Sequence, residues 1–318
     1  MKIITVTLNP SLDRTITVHY LAVGYENQVI DGSVISAAGR GMNISSAVRM
    51  LGTETEAIVL LGTGPISRAY EALLLEYGFP VRVVRFEGRI RSSIFIKDTG
   101  SGQETIIKEE CAEVPPEIFR RVEDMLRERI EPNDYVVFAG GLPLGANADT
   151  YAGLATVAKE AGARVVLDTE GESLRQGIQA KPTLVMLDQL RIERYFNFPV
   201  RVEKDVIYCA RKLQEEGALR VMIILNDYAG AILATEDQIL KLEYPEEIRT
   251  GTRSGVYDAM LAGYLRGRLK EHSLDSALEL GGAAAIYAAT QIGTEFGTLR
   301  DIKEFLWEVN AKPIEPSE

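Results

Sequence analysis

The stretch "DYVVFAGGLPLGANADTYAGLATVAKEAGARVVLDT", residues 134–169, decides the fold class. Its two ends, 134–141 and 163–169, are almost continuously apolar at their centres, as strands are when helices cover both faces of a sheet. Residues 150–162 between them have a helical composition and end in glycine, the usual C-terminal stop of a helix. A strand, a helix and a second strand in this order predict a parallel pair joined by a crossover helix.

The same alternation extends along most of the 318 residues. Further nearly continuous apolar runs predict strands at 3–8, 56–62, 183–187 and 221–226. Helical stretches alternate with them, at 43–52, 67–78, 116–130 and 206–217. We therefore expect a three-layer α/β/α sandwich with a mainly parallel sheet.

Two stretches break this alternation. Residues 14–36 and 90–108 alternate polar and apolar side chains and contain glycine turn signals, which predicts antiparallel hairpins. Both are insertions into one domain, residues 1–318. Together they would form a small sheet over the carboxyl ends of the main strands, where ligands of such folds bind. Residues 311–318 are expected to fray.

Composition excludes several classes of function. A formal net charge of −11 argues against nucleic-acid and anionic-membrane partners, because either needs a basic face. Cys111 and Cys209 lie far apart without CxxC spacing, which favours reduced thiols over a disulfide or zinc framework. The N-terminal apolar run is too short for a signal peptide, and no run of about 18 apolar residues could span a membrane. A cytoplasmic protein is expected.

Glycine-containing turns before helices are candidate anion sites. Residues 39–43, "GRGMN", open a helix, and Gly255 precedes Asp258 at the start of another. Backbone N–H groups at such helix starts can hold an anion, and Asp258 could accept a proton from an attacking hydroxyl. The alternative is structural, with the first stretch a simple turn and Asp258 a helix cap.

Other catalytic patterns are missing from the sequence. It has no Gly-x-Ser-x-Gly, and its two histidines, His19 and His272, lack metal-ligand spacing. A Ser-His-Asp hydrolase or a zinc enzyme is therefore not expected. An NAD-dependent enzyme is disfavoured too, because no strand leads directly into Gly-x-Gly-x-x-Gly with an acidic residue about 20 positions later.

Taken in order, these pieces resemble the ribokinase-like PfkB carbohydrate kinases, and within them the 1-phosphofructokinase and tagatose-6-phosphate kinase group. "TLNPSLDR" (7–14) differs at one residue from the group's Thr-Leu-Asn-Pro-Ala-Leu-Asp-Arg. "AGRGMN" (38–43) stands where the family has Gly-Gly-Lys-Gly-x-Asn, and "VVLDTEGESL" (165–174) is similar to another motif of the group. "GVYDAMLAGYL" (255–265) stands on the Gly-Ala-Gly-Asp signature.

The resemblance implies ATP-dependent phosphorylation of a sugar or sugar phosphate. Asp258 would be the general base, and the turn from Gly255 through Tyr257 to Asp258 would hold the developing negative charge. The residues implied to bind the substrate are Asp13, Gly39, Arg40, Gly41, Asn43 and Arg91. The two hairpins would form a lid, and its uncovered face predicts a homodimer through the lid.

The resemblance also implies a nucleotide and a metal site. ATP would contact Asp227, Gly230 and Arg253. Mg²⁺ would be held by Asp188 and Glu193.

The chain departs from the family pattern mainly in these nucleotide and magnesium stretches. Tyr257 replaces the second glycine of the signature, where a side chain could crowd the γ-phosphate or oppose a positive φ. Asp188 and Arg191 stand for the Asn and Glu of Lys-Pro-Asn-x-x-Glu, and Arg40 replaces a lysine. An alternative function follows, in which a catalytically impaired family member binds sugar phosphate as a sensor or partner.

Overall fold

The computed structural model describes residues 1–226, 229–244, 255–291 and 294–314. Strands lie at β1 (Ile3–Thr7), β2 (Ser11–Val18), β3 (Val29–Ala38), β4 (Thr55–Leu61), β5 (Val81–Arg85), β6 (Arg91–Asp98), β7 (Glu104–Lys108), β8 (Tyr135–Ala139), β9 (Arg164–Asp168), β10 (Leu184–Asp188), β11 (Val221–Ile224), β12 (Ala231–Ala234), β13 (Ile239–Glu243) and β14 (Asn310–Pro313).

Helices follow most of the central strands. They lie at α1 (Arg40–Met50), α2 (Pro65–Leu74), α3 (Pro116–Arg129), α4 (Thr150–Glu160), α5 (Gly171–Ile178), α6 (Gln189–Phe196), α7 (Glu203–Glu216), α8 (Val256–Leu269), α9 (Leu274–Thr290) and α10 (Leu299–Ile302). A 3₁₀ segment, Lys303–Trp307, continues from α10. Within the described ranges, no helix has both the length and the apolar character needed to cross a membrane.

The main sheet confirms the predicted parallel arrangement. Among the described residues it has ten strands, in the order β14-β13-β12-β11-β10-β9-β8-β1-β4-β5. The strands from β11 to β5 pair in parallel, with Ile3 of β1 opposite Thr55 on one side and Tyr135 on the other. Every residue of β1, β4, β8 and β11 is buried, as their nearly continuous apolar runs predict.

Two apolar cores cover the two faces of this sheet. Alternate residues of β1 point to opposite faces, so Ile4 packs in one core and Ile3 in the other. The first core includes Tyr70 of α2 and Tyr151 of α4, and the second includes Met260 of α8. The architecture is therefore a three-layer α/β/α sandwich, as expected.

The two irregular stretches fold into one small sheet. β2 pairs antiparallel with β3, and β6 pairs antiparallel with β7, which confirms both hairpins. The hairpins join through β2 and β6, which run parallel with Ser11 opposite Arg91. Because β3 ends at Ala38 and α1 begins at Arg40, the small sheet leads directly into a helix of the main body.

One edge of the main sheet departs from the expectation. β12, β13 and β14 pair antiparallel with each other, and β12 pairs antiparallel with β11. Ala311 pairs with Leu242 in this edge, so the prediction that the chain frays from residue 311 is wrong for the residues of β14. Residues 315–318 lie outside the described ranges.

Candidate active site

Polar side chains converge at the carboxyl ends of the parallel strands. Asp168 is the last residue of β9 and Asp188 the last residue of β10. Arg40 begins α1, and Asp258 lies in the first turn of α8. Arg40 forms ion pairs with Asp168 and Asp258, and Arg191 connects Asp168 to Asp188. The predicted edge of the sheet is therefore where the charged side chains meet.

Asp258 is a buried carboxylate with two side-chain partners. It is 4% exposed, and Asn43 Nδ2 donates a hydrogen bond of 2.9 Å to its Oδ2. Arg40 Nε donates to Oδ1 at 3.3 Å, and Arg40 Nη2 also pairs with Asp168 Oδ2 at 2.6 Å. One arginine from the start of α1 thus joins the carboxylate of α8 to the carboxylate of β9.

Arg191 continues this chain of charges on the other side of Asp168. Its Nη1 donates to Asp168 Oδ1 at 2.9 Å, and its Nε donates to Asp188 Oδ2 at 2.8 Å. The backbone N–H of Arg191 donates to Asp188 Oδ1 at 2.8 Å, which caps α6. Both oxygens of Asp188 are therefore engaged by one residue.

Burial and ion pairing, respectively, raise the pKa values of Asp258 and Arg191 above their ordinary values. Burial raises the pKa of Asp258, while the positive charge of Arg40 opposes the rise and the negative charge of Asp168 adds to it. Burial alone would lower the pKa of Arg191, but Asp168 and Asp188 together hold it above its ordinary value. The arginine therefore stays charged, and Asp258 has a stronger tendency to take a proton than an exposed aspartate.

The turn before α8 requires its glycine. Gly255 has φ 79°, and a Cβ added there would lie 2.9 Å from Thr294 Cγ2 and 3.1 Å from Phe296 Cε1. The first helical hydrogen bond runs from Ala259 N to Gly255 O at 2.8 Å, so the N–H groups of residues 256–258 precede the helix ladder.

Tyr257 does not occupy the strained position of this turn. In the described part of the chain, the positive φ of the turn falls on Gly255, and Tyr257 has helical geometry within α8. Its side chain is half-buried and packs beside the core that contains Met260. Replacing glycine by tyrosine at position 257 therefore creates no conflict with φ.

Gly39, which precedes α1, and Gly41, in its first turn, let the chain approach β1 closely. A Cβ on Gly41 would lie 2.4 Å from Thr7 Oγ1, and one on Gly39, which has φ 133°, would lie 2.7 Å from Thr7 Cγ2. These two glycines thus have a packing role. The same close approach sets the start of α1 so that Arg40 and Asn43 contact Asp258.

A cavity of about 360 Å³ lies over this cluster. Its walls come from the carboxyl ends of the main strands, including Gly140 and Gly141, and from Arg91 and Lys108 of the small sheet. Basic residues are in excess in its lining: five are basic, namely Arg40, Arg91, Lys108, Arg191 and Arg194, and three are acidic, namely Asp168, Glu170 and Asp188. A negatively charged ligand is the class that such a wall attracts.

Three polar side-chain atoms on β2, on β6 and in the segment just before β2 are buried without partners, and two of their residues, Asn9 and Arg91, line this cavity. Among the described residues, Asn9 Oδ1, Asp13 Oδ1 and Arg91 Nε make no hydrogen bond. Burial raises the pKa of Asp13, and a hydrogen bond from Ser11 and the charge of Arg91 oppose that rise. Buried polar atoms are normally paired in folded proteins, so these atoms mark a place where a polar ligand would supply the partners.

A second cavity, of about 730 Å³, adjoins the first. Its apolar walls come from Ile224, Leu225, Val256, Met260 and Ala285, and Asn226, Tyr244 and Tyr257 add polar atoms. Four residues line both cavities, namely Lys108, Asp188, Leu190 and Arg194. The two spaces are therefore neighbours that share a polar boundary, an arrangement suited to two ligands that react with each other.

The sequence profile of the pfkB family carbohydrate kinases matches residues 6–301. The chain belongs to the PfkB family. A curated relative, 1-phosphofructokinase of Bacillus subtilis, is 28% identical over 307 residues, which cover 96% of this chain and 98% of the relative.

Two solved structures place this PfkB chain in the ribokinase-like fold. Phosphofructokinase-2 from Escherichia coli in complex with fructose-6-phosphate has a TM-score of 0.87 at 24% identity, over 96% of this chain and 98% of that one. Ribokinase from Arabidopsis thaliana, complexed with ribose and ATP, has a TM-score of 0.74 at 16% identity, over 96% and 98%. The predicted fold class and family resemblance are confirmed.

In this PfkB chain the structure brings many of the predicted site residues together. Arg40 and Asn43 of α1 contact Asp258 of α8. Gly39 and Gly41 flank Arg40 in the chain, and Gly255 and Tyr257 lie at the start of α8 with Asp258. Asp13 and Arg91 lie on the small sheet, and Arg91 lines the first cavity. Asp227 and Arg253 lie outside the described residues.

Two predicted residues lie away from this group. A Cβ on Gly230 would lie 1.9 Å from Leu242 O, so this glycine permits close approach of neighbouring strands, and it lines neither cavity. Glu193 is half-buried, and its Oε1 accepts a hydrogen bond of 3.0 Å from the backbone N–H of Val200. Neither position is joined to Asp258 by the contacts described above.

The residues of this PfkB site do not fit the predicted protein-bound Mg²⁺. Both oxygens of Asp188 accept hydrogen bonds from Arg191, and Glu193 bonds to a backbone N–H elsewhere. Across the described ranges, no group of three or more His, Cys, Asp or Glu side chains is arranged to hold a metal ion. A magnesium ligand set made of side chains is therefore not assigned.

Sequence reasoning missed the centre of the charge cluster. Asp168 carried a signal, because it ends a buried strand of a parallel sheet within a stretch that is similar to a family motif. Arg191 was noted only as the loss of a glutamate, although it binds two carboxylates. Asn9 and Lys108 also line the first cavity. Asn9 stands within the motif-like stretch 7–14, whereas nothing in the local sequence of Lys108 distinguishes it from a surface residue.

Proposed function

We propose that the protein transfers the terminal phosphoryl group of ATP to a hydroxyl of a sugar phosphate, as a kinase of the 1-phosphofructokinase type. The observation that carries this proposal is Asp258, a buried carboxylate at the start of α8 that Asn43 and Arg40 orient beside a basic cavity. Membership of the PfkB family supports it, as does the likeness to a 1-phosphofructokinase over nearly the whole chain.

The first cavity suits the sugar phosphate. Arg91 and Lys108 contribute positive charge from the small sheet and would bind the phosphate that the acceptor already carries. The unpartnered Oδ1 atoms of Asn9 and Asp13 are acceptors for sugar hydroxyls. The sugar would thus be held between the small sheet and the carboxyl ends of the main strands.

The second cavity suits ATP. Its apolar walls, which include Ile224, Val256 and Ala285, offer a surface for the adenine ring, and its volume of about 730 Å³ lies within the usual range of ligand pockets. Lys108 and Arg194 stand at the boundary of the two cavities, so they would meet the phosphate chain where it points toward the acceptor. Donor and acceptor would approach each other at this boundary.

Asp258 would act as the general base of the transfer. The acceptor hydroxyl gives its proton to the Asp258 carboxylate, its oxygen bonds to the γ-phosphorus, and the bond from that phosphorus to the β–γ bridging oxygen breaks to release ADP. The N–H groups at the start of α8 and the basic side chains of the cavity stabilise the negative charge on the transferred group. Oδ1 accepts the 3.3 Å contact from Arg40 Nε, and its second lone pair can accept the proton of the hydroxyl.

Magnesium enters this proposal only as a partner of the nucleotide. The divalent ion would be held by the phosphates of ATP, where it neutralises charge. No side chain of this protein is assigned to it, because Asp188 is engaged by Arg191.

Measuring ADP release tests the proposed reaction. The purified protein would be given ATP and magnesium with a panel of hexoses, fructose 1-phosphate, fructose 6-phosphate and tagatose 6-phosphate, with Asp258→Asn as the blank. We expect turnover above the blank with a phosphorylated sugar, and fructose 1-phosphate is the first choice. Turnover with unphosphorylated hexoses alone would contradict the proposed substrate class. Absence of turnover with every sugar, together with a melting temperature raised by sugar phosphate and not by ATP, would indicate a binding protein instead.

We also propose that the protein is a homodimer through the small sheet. Large apolar side chains of β3 and β7 are exposed, for example Val34 at 51% and Ile107 at 52%. Exposed apolar residues on a small sheet with open edges favour a partner, and a second copy is the simplest one. Light scattering at micromolar concentration should give twice the mass of 35.0 kDa, and a monomer would refute the dimer.

A further inference from the structure

Arg191 is a buried cation whose guanidinium group is only partly hydrogen-bonded. The residue is 8% exposed and lines the first cavity. Its Nε and Nη1 bind Asp188 and Asp168, whereas its Nη2 is buried and has no hydrogen-bond partner among the described residues. An unpaired buried donor on a charged group costs more than an unpaired neutral one, so a ligand that fills it gains affinity.

The two carboxylates around Arg191 stand where a cation would be bound. Asp168 and Asp188 end the neighbouring strands β9 and β10, so both side chains reach the same edge of the sheet. Carboxylate oxygens in such a position are the ligands that Mg²⁺ and other hard divalent ions take. Here the guanidinium lies between them, at 2.9 Å from Asp168 Oδ1 and 2.8 Å from Asp188 Oδ2.

We propose that Arg191 replaces a protein-bound metal ion in this site. Its fixed positive charge holds Asp168 and Asp188 together, and its Nη2 donates to a phosphate oxygen of a ligand in the first cavity. The inference relies on the proposed function only in taking the ligand to be phosphorylated. It follows that the protein binds phosphate groups without any divalent ion attached to its side chains.

The planar fork of arginine is essential to this role. Nε and the two Nη atoms point in fixed directions, so one side chain can bind two carboxylates and a phosphate oxygen at once. A lysine in the same position keeps the charge but offers a compact ammonium group that cannot span the three partners. Arg191→Lys therefore separates the geometry of the donor from the charge.

Calorimetric titration with pyrophosphate in EDTA tests the proposal. We expect the wild-type protein to bind pyrophosphate without magnesium, and Arg191→Lys to bind it about 10-fold to 100-fold more weakly. Arg129→Lys is the matched control, because Arg129 also pairs with a buried carboxylate, Glu56, but lies outside both cavities. The control should bind pyrophosphate with the affinity of the wild type.

Equal affinities of wild type and Arg191→Lys, or no metal-free binding by the wild type, would overturn the proposal. A second measurement needs no variant. Electron paramagnetic resonance with Mn²⁺ should detect no stoichiometric site in the ligand-free wild-type protein, and a site that fills at micromolar Mn²⁺ would also overturn the idea.

These measurements use no turnover, so they are independent of the kinase assay. A protein that phosphorylates sugar phosphate yet binds pyrophosphate equally well in both forms would refute the role of Arg191 alone. A protein with no turnover whose pyrophosphate affinity falls in Arg191→Lys would refute the proposed reaction alone.

Discussion

In the described part of the chain, an ionic cluster with a buried carboxylate lies at each end of the main sheet, and the charge balances of these two clusters are opposite. The amino-end cluster surrounds Glu56 of β4, which is 2% exposed, with Lys2, Arg82 and Arg129 at 2.7–2.9 Å. Three cations face one carboxylate. Burial alone would raise the pKa of Glu56, but hydrogen bonds from the three basic partners lower it to about 2.

The carboxyl-end cluster consists of Arg40, Asp168, Asp188, Arg191 and Asp258. Here three carboxylates face two guanidiniums. Burial raises the pKa of Asp258, and Arg40 offsets only part of the rise.

The two clusters are suited to different roles, the amino-end cluster to folding stability and the carboxyl-end cluster to the proposed proton transfer. The amino-end cluster favours the charged form of its carboxylate and so contributes to folding at neutral pH. The carboxyl-end cluster holds a carboxylate with a raised pKa beside a cavity, which is the arrangement that proton transfer requires. A substitution in the carboxyl-end cluster should therefore lower turnover with little change in stability, and one in the amino-end cluster should lower stability with little change in turnover.

Asp258→Asn should have the largest effect on turnover. Removing a general base costs about 10²–10⁴ in rate, and the amide keeps the shape of the side chain, so the melting temperature should change little. The measurement is kcat with the best sugar phosphate of the panel. Asp124→Asn, at an exposed side chain on α3, is the control. Undiminished turnover by Asp258→Asn would exclude Asp258 as the base.

Arg40→Lys should have the next largest effect. Lysine keeps the positive charge but cannot reach both Asp258 and Asp168 as the guanidinium does. Loss of one charge-stabilising contact typically reduces the rate by about 10²–10³. Steady-state kinetics should show this fall in kcat/KM. A variant as active as the wild type would mean that the link between the two carboxylates has no catalytic importance.

Glu56→Gln should show the reverse behaviour, with turnover unchanged and stability lowered. Losing charge-assisted hydrogen bonds to Glu56 should reduce the free energy of unfolding by about 1.5–3 kcal/mol at pH 7, as measured by urea denaturation. The pKa of Glu56 is about 2 in the folded protein and 4.5 for the free side chain. The stabilisation is therefore present above pH 4.5 and is lost as the pH falls toward 2.

The stability difference between wild type and Glu56→Gln should accordingly shrink over this acid range. A constant difference from pH 7 down to pH 3 would contradict the lowered pKa of Glu56. A large fall in turnover would instead mean that the two clusters are coupled.

Tyr257→Gly should have the smallest effect. Tyr257 is helical and does not hold the positive φ of its turn, so glycine relieves no strain and should not raise the rate. Glycine within a helix costs about 1 kcal/mol, which should lower the melting temperature slightly. A clear rise in kcat would show that the tyrosine side chain obstructs the phosphoryl group, and Tyr257→Phe would then test the role of its hydroxyl.

Much of the fold was predictable because the parallel strands are buried on both faces. Nearly continuous apolar runs such as those of β1 and β8 are compatible with few other structures, and polar/apolar alternation identified both hairpins of the small sheet. The edge strands β12 to β14 were not predicted. They are 4 or 5 residues long, and β14 has only one buried residue, so their sequence carries little periodicity.

The site was predictable where a residue type and its local motif coincide, as at Asp258 and Asn43. It was not predictable where the contact is long-range. Arg191 and Glu193 lie in the same helix, but two residues correspond to roughly 200° of rotation, so only one of them can face Asp168. Sequence spacing gave no reason to choose the arginine. A glycine required by packing, such as Gly230, also looks the same in sequence as one required by a ligand.

The parallel pairing of β2 with β6 has a consequence for how the protein folds. Each hairpin of the small sheet is local in sequence, but β3, α1, β4, α2 and β5 separate the two central strands, β2 and β6. Closing so long a segment is slow unless the intervening elements have already docked. The small sheet should therefore assemble late in refolding, after the main sheet, and its edge strands β3 and β7 should exchange their amide hydrogens earliest.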